Sequence, residues 1–164
     1  MDLVVTDYEI NPGTLALIPI DDRSSKVLEL DNKELIVNKS TNKIIKENCK
    51  MYGCSLQGRL EGASKLLGSK YKNPVIISEI NNIIFFPTMS YRDNDCVWIS
   101  STNLKDYMKD NNKTIIRYKD NSKLELDCSY YIIDNQVLKS AFLENKLLKL
   151  KMNWYLYYKK GNIT

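Results

Sequence analysis

The chain has 164 residues, which suits one folded domain because single cores are usually built from about 100 to 200 residues. Hydrophobic residues make up 43% and charged residues 27%, and this balance excludes collagen-like and wholly disordered chains. The longest apolar runs, at 15–20 and 83–87, are far shorter than the roughly 18 residues of a membrane-spanning helix, and no secretory signal follows Met1. We therefore expect a cytoplasmic protein with no membrane partner.

The residues needed for common catalytic and metal sites are scarce. Histidine is absent, which removes the commonest general base and the commonest zinc ligand. The four cysteines form no C-x-x-C pair, so we expect free thiols that behave as small hydrophobic residues, with an irregular four-thiolate zinc site as the alternative. Asp93 and Asp95 lie in RDND, which is typical of a turn. The sequence thus predicts a protein that is not an enzyme and that has no catalytic residue, metal or cofactor.

Positive charge is concentrated in the middle of the chain and near its C-terminal end. Residues 35–78 carry eight basic and two acidic residues, and residues 135–164 carry six and one. Residues 1–34, in contrast, carry three basic and eight acidic residues. By itself this clustering fits an ordinary solvated lysine surface, and a polyanion such as DNA as a partner is the alternative.

Runs rich in β-forming residues alternate with turn signals and predict antiparallel hairpins. The predicted hairpins pair residues 8–10 with 14–20, 27–30 with 34–37, 74–80 with 83–86, and 114–118 with 124–128. Short strands are also expected at 44–45 and 97–99, and a short helix at 101–109. Together with two principal helices, these elements predict a strand-rich single α+β domain built from antiparallel hairpins.

The first principal helix is predicted over 56–67, with Ser55 as the N-cap and Gly68 just past the C-terminus. At about 100° per residue, its leucines share one side, and Gly58 and Gly62 lie on the other. Each interior glycine costs about 1 kcal/mol of helix stability relative to alanine. We therefore expect something to approach the bare backbone there: a phosphate backbone, a loop of the same domain, or a second subunit.

The second principal helix is predicted over 136–152, with Asp134 or Asn135 as its cap. One face carries five apolar residues that we expect to contact the core: Val137, Leu138, Ala141, Leu148 and Met152. Roughly opposite lies a second apolar stripe, formed by Leu143, Leu147 and Leu150. A dimer mate would cover this second stripe, unless the helix is sandwiched within one chain.

Two segments carry a resemblance to a known family. CKMYGCSLQGR at Cys49–Arg59 and IIFFPTMSYRDNDCVWIS at Ile83–Ser100 are similar, in order and spacing, to the ComK family of competence transcription factors. The resemblance implies an activator that binds A-rich and T-rich boxes of double-stranded DNA, largely through the minor groove, as a dimer or a pair of dimers. It also implies a nucleoid-associated protein that works with RNA polymerase and turns on DNA-uptake genes.

Within this resemblance, the contacts to DNA are expected around the glycine-bearing helix. Arg59 begins that helix and is the first candidate for insertion into the narrow, negative A·T minor groove, with pairing to Glu61 or a carbonyl as the alternative. Gly58 and Gly62 would let the backbone approach the DNA closely. Four lysines are expected to contact phosphates: Lys50, Lys65, Lys70 and Lys72.

We expect a DNA-binding domain over residues 1–152 and a short tail over 153–164. The tail sequence WYLYYK resembles the aromatic stretch by which family members dock a MecA-like proteolytic adaptor. The residues that would dock are Trp154, Tyr155, Leu156, Tyr157 and Lys159. Because Tyr158 stands where the resemblance would place proline, and longer members carry a further segment, the alternative is an interaction module of the same fold, deficient in DNA binding or activation.

Overall fold

The computed structural model describes residues 3–161, which form ten strands and three helices. The strands are β1 (Leu3–Val5), β2 (Thr14–Pro19), β3 (Ser25–Glu29), β4 (Lys33–Val37), β5 (Val75–Ser78), β6 (Ile83–Pro87), β7 (Trp98–Ser100), β8 (Leu104–Asp110), β9 (Lys113–Tyr118) and β10 (Lys123–Leu126). The helices are α1 (Thr41–Met51), α2 (Leu56–Leu67) and α3 (Tyr130–Lys159). The prediction of an α+β domain is confirmed.

Two sheets organise these strands. Seven strands form one sheet in the order β1-β4-β3-β2-β7-β6-β5, and three form the second in the order β10-β9-β8. All neighbouring strands pair antiparallel except β1 and β4, which are parallel. The predicted hairpins β3–β4, β5–β6 and β9–β10 are confirmed.

The first predicted hairpin is wrong, because β2 pairs with β3 and β7 and residues 8–10 form no strand. Asn48 of α1 takes the place of a strand partner for this segment. Its side chain accepts a hydrogen bond from the Ile10 backbone N–H at 2.8 Å and donates to the Tyr8 carbonyl at 2.9 Å. The backbone at 8–10 is therefore satisfied by a helix side chain.

Two further predictions are corrected. Ile44 and Ile45 belong to α1 rather than to a strand, and Ser40 caps that helix by accepting from the Lys43 backbone N–H. Residues 104–110 form strand β8, where a short helix was predicted at 101–109, because they pair along β9. In both places contacts with distant segments outweigh the local signals.

The core lies on both faces of the seven-stranded sheet. Alternation along β6 places Phe85 in a cluster beneath α1 and α2, and Phe86 in a second cluster beneath the three-stranded sheet and the start of α3. A third cluster, beside the edge strand β5, joins Ala63 of α2 to Leu143 of α3. This third cluster holds α2 and α3 together.

Helix α3 differs from its prediction in both bounds. Its N-cap is Ser129, which accepts from the Ile132 backbone N–H, rather than Asp134 or Asn135. It continues to Lys159, so the predicted tail is helical up to that residue, and residues 162–164 lie outside the described part. Among the described residues, no helix combines the length and the apolar character needed to cross a membrane.

The buried face of α3 is the reverse of the predicted one. Leu143 is fully buried in the third cluster and Leu147 packs against it, so the stripe predicted as a dimer interface is internal at these two positions, while Leu150 is exposed. Leu138, Ala141, Leu148 and Met152, predicted to face the core, are exposed, and Val137 is partly buried. The reason is that the buried face also carries Gln136 and Ser140, which a hydropathy pattern assigns to solvent.

Candidate nucleic-acid interface

Helix α2 follows its prediction at both ends. The Ser55 side chain accepts from the Gly58 backbone N–H at 3.0 Å, and Gly68 adopts the left-handed conformation with φ of 67°. Leu56 and Ala63 are buried, which fixes the side of the helix that faces the core. The opposite side is therefore held outward.

Gly58, Gly62 and Lys65 form this outward side, which we call the glycine face. All three residues are exposed. A Cβ atom at Gly62 would meet no atom within 4 Å, and one at Gly58 would meet only the Ser55 Oγ, at 3.0 Å. Among residues 3–161 no loop covers Gly62, and close approach of a phosphate backbone or of a second subunit stays a prediction.

Arg59 does not belong to the glycine face. Its Nη1 donates to Glu79 Oε1 at 2.9 Å, and its side chain is only 23% exposed. The expected partner Glu61 instead accepts from the Gln57 side chain at 3.0 Å, since residues two apart point about 200° apart around a helix. Contact between Arg59 and DNA stays a prediction, and it would require Arg59 to leave Glu79.

Lys50, Lys65, Lys70 and Lys72 are all exposed. Lys50 lies in the last turn of α1 and Lys65 in the last turn of α2, and Lys70 and Lys72 follow α2 in the chain. None of these four lysines forms an ion pair with any residue between 3 and 161. Their charge is consequently available to an anionic partner.

The segment 69–73, here called the lysine loop, is anchored by α3. Gln136 Nε2 donates to the Lys72 carbonyl at 2.8 Å, and Lys139 Nζ donates to the Tyr71 carbonyl at 3.0 Å. Lys72 itself has a φ of 50°, a conformation that few non-glycine residues adopt. The polar residues on the buried side of α3 thus position the lysine loop beside α2.

Lys139 reports on the electrostatics of this region. Burial, and then the neighbouring charge of Lys72, lower the pKa of the Lys139 ammonium. A nearby carboxylate would act in the opposite direction. The Lys139 ammonium therefore lies close to a second positive charge, that of Lys72.

A groove of about 210 Å³ separates α2 from the lysine loop. Gln57 and Glu61 line it on the α2 side, Lys70 and Lys72 on the loop side, and Tyr91 and Arg92 close it. Arg92 Nε donates to the Tyr91 hydroxyl at 3.2 Å, and its guanidinium carbon lies 5.5 Å from the centre of the Tyr91 ring. Sequence reasoning missed Arg92; the signal that could have found it is its place inside the resemblance segment Ile83–Ser100.

The cysteines take the expected structural places. All four are free thiols, and Cys49 and Cys96 are fully buried. Burial is the main cause that raises the pKa of Cys49 to about 12 and the pKa of Cys96 to about 11. These two thiols are thus neutral at physiological pH and pack as small hydrophobic groups.

The residues expected to dock an adaptor lie on the final turns of α3. Trp154, Tyr155, Leu156, Tyr157 and Lys159 are all exposed. Trp154 packs against Tyr157 and Tyr158, with ring centres 6.0 and 6.3 Å apart. The structure brings these residues together on one helix end, separate from the glycine face.

Comparison with known proteins decides the family. The ComK protein family model matches residues 5–151. The chain belongs to the ComK family. It is 31% identical over 149 residues to the competence transcription factor of Bacillus subtilis (strain 168), an alignment that spans 88% of this chain and 77% of that protein. No solved structure gives a significant match.

Membership of the ComK family fits the features described above. The family consists of transcription factors rather than enzymes, and DNA binding is implied by it. The glycine face, the lysine loop and Arg92 all lie within the matched range 5–151. The aromatic end of α3, from residue 152 onward, lies outside the matched range.

Proposed function

We propose that this chain is a DNA-binding activator of competence genes that contacts A-rich and T-rich boxes through the minor groove. The observation that carries this proposal is the glycine face, where a Cβ at Gly62 would meet nothing within 4 Å. Two interior glycines are costly in a helix, and no residue between 3 and 161 covers them. A phosphate backbone that comes close to the helix would use the space that they leave.

The unpaired lysines supply the electrostatic part of this proposal. Lys50, Lys65, Lys70 and Lys72 would contact phosphates, which releases counterions and makes binding weaken steeply with salt. The A·T minor groove is narrow and strongly negative, and its hydrogen-bond pattern carries little beyond A·T content. Lysine side chains that contact phosphates without reading individual bases suit recognition by charge and groove shape. In place of the DNA contact predicted for Arg59, we propose that Arg59 holds α2 through its ion pair with Glu79.

The test compares an AT-rich duplex carrying two boxes with a GC-rich duplex of equal length, at two salt concentrations. Tighter binding to the AT-rich duplex, together with steep weakening by salt, supports the activator proposal. Salt-sensitive binding without that preference would leave only general affinity for polyanions. Absence of binding would favour the interaction module, for which the exposed aromatic end of α3 is the specific observation.

For the dimer, we propose an exposed stripe of α3 in place of Leu143, Leu147 and Leu150. Leu138, Phe142, Met152 and Leu156 are each about half exposed or more and share one side of the helix. Such a stripe suits a self-complementary interface between two copies. Phe142→Asp should lower the mass measured by sedimentation, whereas Ile80→Asp, at a 96% exposed turn position, should not. An unchanged mass for Phe142→Asp would exclude this stripe as the dimer interface.

We also propose that the aromatic end of α3 docks a proteolytic adaptor, and that RNA polymerase is contacted at the promoter. Trp154 is 62% exposed and available for such a contact. Trp154→Ala should slow adaptor-dependent proteolysis in a reconstituted reaction. Tyr131→Ala, which removes an exposed aromatic at the other end of α3, is the matched control. Equal proteolysis rates for the two variants would remove Trp154 from the docking site.

A further inference from the structure

The four arginines of the chain differ in what they contact. Arg59 is paired with Glu79, and Arg117 makes two hydrogen bonds to Asp106. Arg23 lies in an exposed turn with Asp21, whose Oδ1 accepts from the Arg23 backbone N–H at 2.8 Å. Arg92 forms no ion pair with any residue in the described range, and it borders a groove that also holds two unpaired lysines.

We propose that Arg92 is the residue that distinguishes A·T from G·C by entering the minor groove, an inference that rests on the proposed function. Arg92 lines the same groove as Lys70 and Lys72 of the lysine loop and Glu61 of α2. Phosphates line both edges of a minor groove that is about 6 Å wide. If Lys70 and Lys72 hold phosphates, Arg92 would be the cation of the same groove that is free to reach the base edges.

Internal hydrogen bonds and a buried end brace the loop that carries Arg92. The Asp93 backbone N–H donates to the Ser90 carbonyl at 2.9 Å, and the Asp95 backbone N–H donates to Asp93 Oδ1 at 2.9 Å. At its end, Cys96 is fully buried and its carbonyl accepts from Thr41 Oγ1 at 3.1 Å. Contact of the guanidinium with Tyr91 further restricts the side chain.

Negative charge near Arg92 limits how DNA can approach. Glu61 lies across the groove, and Asp93 and Asp95 follow Arg92 in its own loop. These carboxylates repel a phosphate backbone laid flat on this surface. A single guanidinium that projects into a groove remains compatible with them, and arginine suits a narrow groove better than lysine because its planar charge is more weakly hydrated.

The experiment uses three duplexes of equal length with two boxes at the same positions. The boxes consist of A·T pairs in the first duplex, G·C pairs in the second and inosine·C pairs in the third. Inosine lacks the guanine 2-amino group, so an inosine·C pair presents an A·T-like minor groove and a G·C-like major groove. Fluorescence anisotropy gives the affinities of the full chain and of Arg92→Ala, Arg92→Lys and Arg23→Ala. Arg23→Ala is matched for charge and exposure, and melting curves establish that each variant is folded.

We expect the unaltered chain to bind the A·T and inosine·C duplexes alike and the G·C duplex more weakly. Arg92→Ala should lower the A·T to G·C affinity ratio about tenfold, the size of one good contact to a base pair. Arg92→Lys should keep overall affinity yet lose most of that ratio, and Arg23→Ala should retain it.

Each failure has its own signature. An unchanged ratio in Arg92→Ala would overturn the role of Arg92 while the proposed function stands. Inosine·C binding as weak as G·C binding would place recognition in the major groove, which would overturn the role of Arg92 together with the minor-groove part of the proposed function. No preference for A·T in the unaltered chain would overturn the proposed function together with this inference.

Discussion

The two flanks of α2 use positive charge in different ways. On one flank, Arg59 is paired with Glu79 at 2.9 Å and is mostly covered. On the other, Lys70, Lys72 and Arg92 border an open groove and form no ion pair among the described residues. A paired cation can serve the fold, whereas unpaired cations at an open groove contribute little to it. We therefore propose that the flank with the unpaired cations is the one that meets a partner.

The largest expected effect is on the free energy of unfolding, and it comes from truncating a buried side chain against which α2 packs. Leu143 is fully buried between α2 and the sheet, so Leu143→Ala should lower the free energy of unfolding by about 2–5 kcal/mol. Leu150→Ala, on the exposed part of the same helix, should change it by less than about 0.5 kcal/mol. Urea unfolding measures both variants. Similar losses would mean that α3 does not pack through Leu143.

A smaller effect is expected on the glycine face, where one substitution should raise stability and lower DNA affinity. Gly62→Ala adds a methyl group in open space and should raise the free energy of unfolding by about 1 kcal/mol. The same methyl group would occupy the space proposed for DNA, so affinity for an AT-rich duplex should fall, and Gly62→Gln should lower it further. A stabilised variant that binds DNA as tightly as the unaltered chain would contradict the proposed role of the glycine face.

On the paired flank, Arg59→Ala should reduce stability and leave DNA recognition intact. Loss of this partly exposed ion pair costs about 1 kcal/mol or less, with a further small loss from packing of the mostly covered Arg59 side chain. Thermal melting and the A·T to G·C affinity ratio are the two readouts, with Glu79→Gln as the matched variant. A lowered ratio in Arg59→Ala but not in Glu79→Gln would return Arg59 to the DNA site.

The smallest effect concerns the other paired arginine and depends on pH. The hydrogen bond from Arg117 lowers the pKa of Asp106 below its ordinary value. Asp106 therefore stabilises the fold above its unfolded pKa of about 4, and this contribution is lost as the pH falls through the lower folded value. Asp106→Asn should be slightly less stable than the unaltered chain at pH 7 and equal to it at strongly acidic pH. If the difference in stability between Asp106→Asn and the unaltered chain did not change with pH, or if the control Asp22→Asn showed the same difference, the hydrogen bond from Arg117 would not be its cause.

Sequence patterns predicted the elements whose signals are local. Ser55 and Gly68 set the bounds of α2, and Asn82, at a φ of 52°, makes the tight turn between β5 and β6. The glycine face could be predicted because helix periodicity alone fixes which side opposes Leu56 and Ala63.

Elements and roles that depend on distant partners could not be predicted. Gln136 is buried because its amide donates to the Lys72 and Pro87 carbonyls, which lie far away in sequence, and this reversed the predicted face of α3. Arg59 and Arg92 cannot be ranked from sequence, since only the fold shows that Glu79 pairs with the first. Charge and spacing indicated the region that we propose as the site, and tertiary pairing separates its cations into paired and unpaired residues.

The most direct test of the proposed interface is lysine acylation of the free chain and of its complex with an AT-rich duplex, read by mass spectrometry. Lys65, Lys70 and Lys72 should lose reactivity in the complex, while Lys33 and Lys109, exposed on strands β4 and β8, should keep theirs. Protection at Lys33 and Lys109, with Lys65, Lys70 and Lys72 still reactive, would contradict the assignment of the glycine face and lysine loop as the DNA-binding surface.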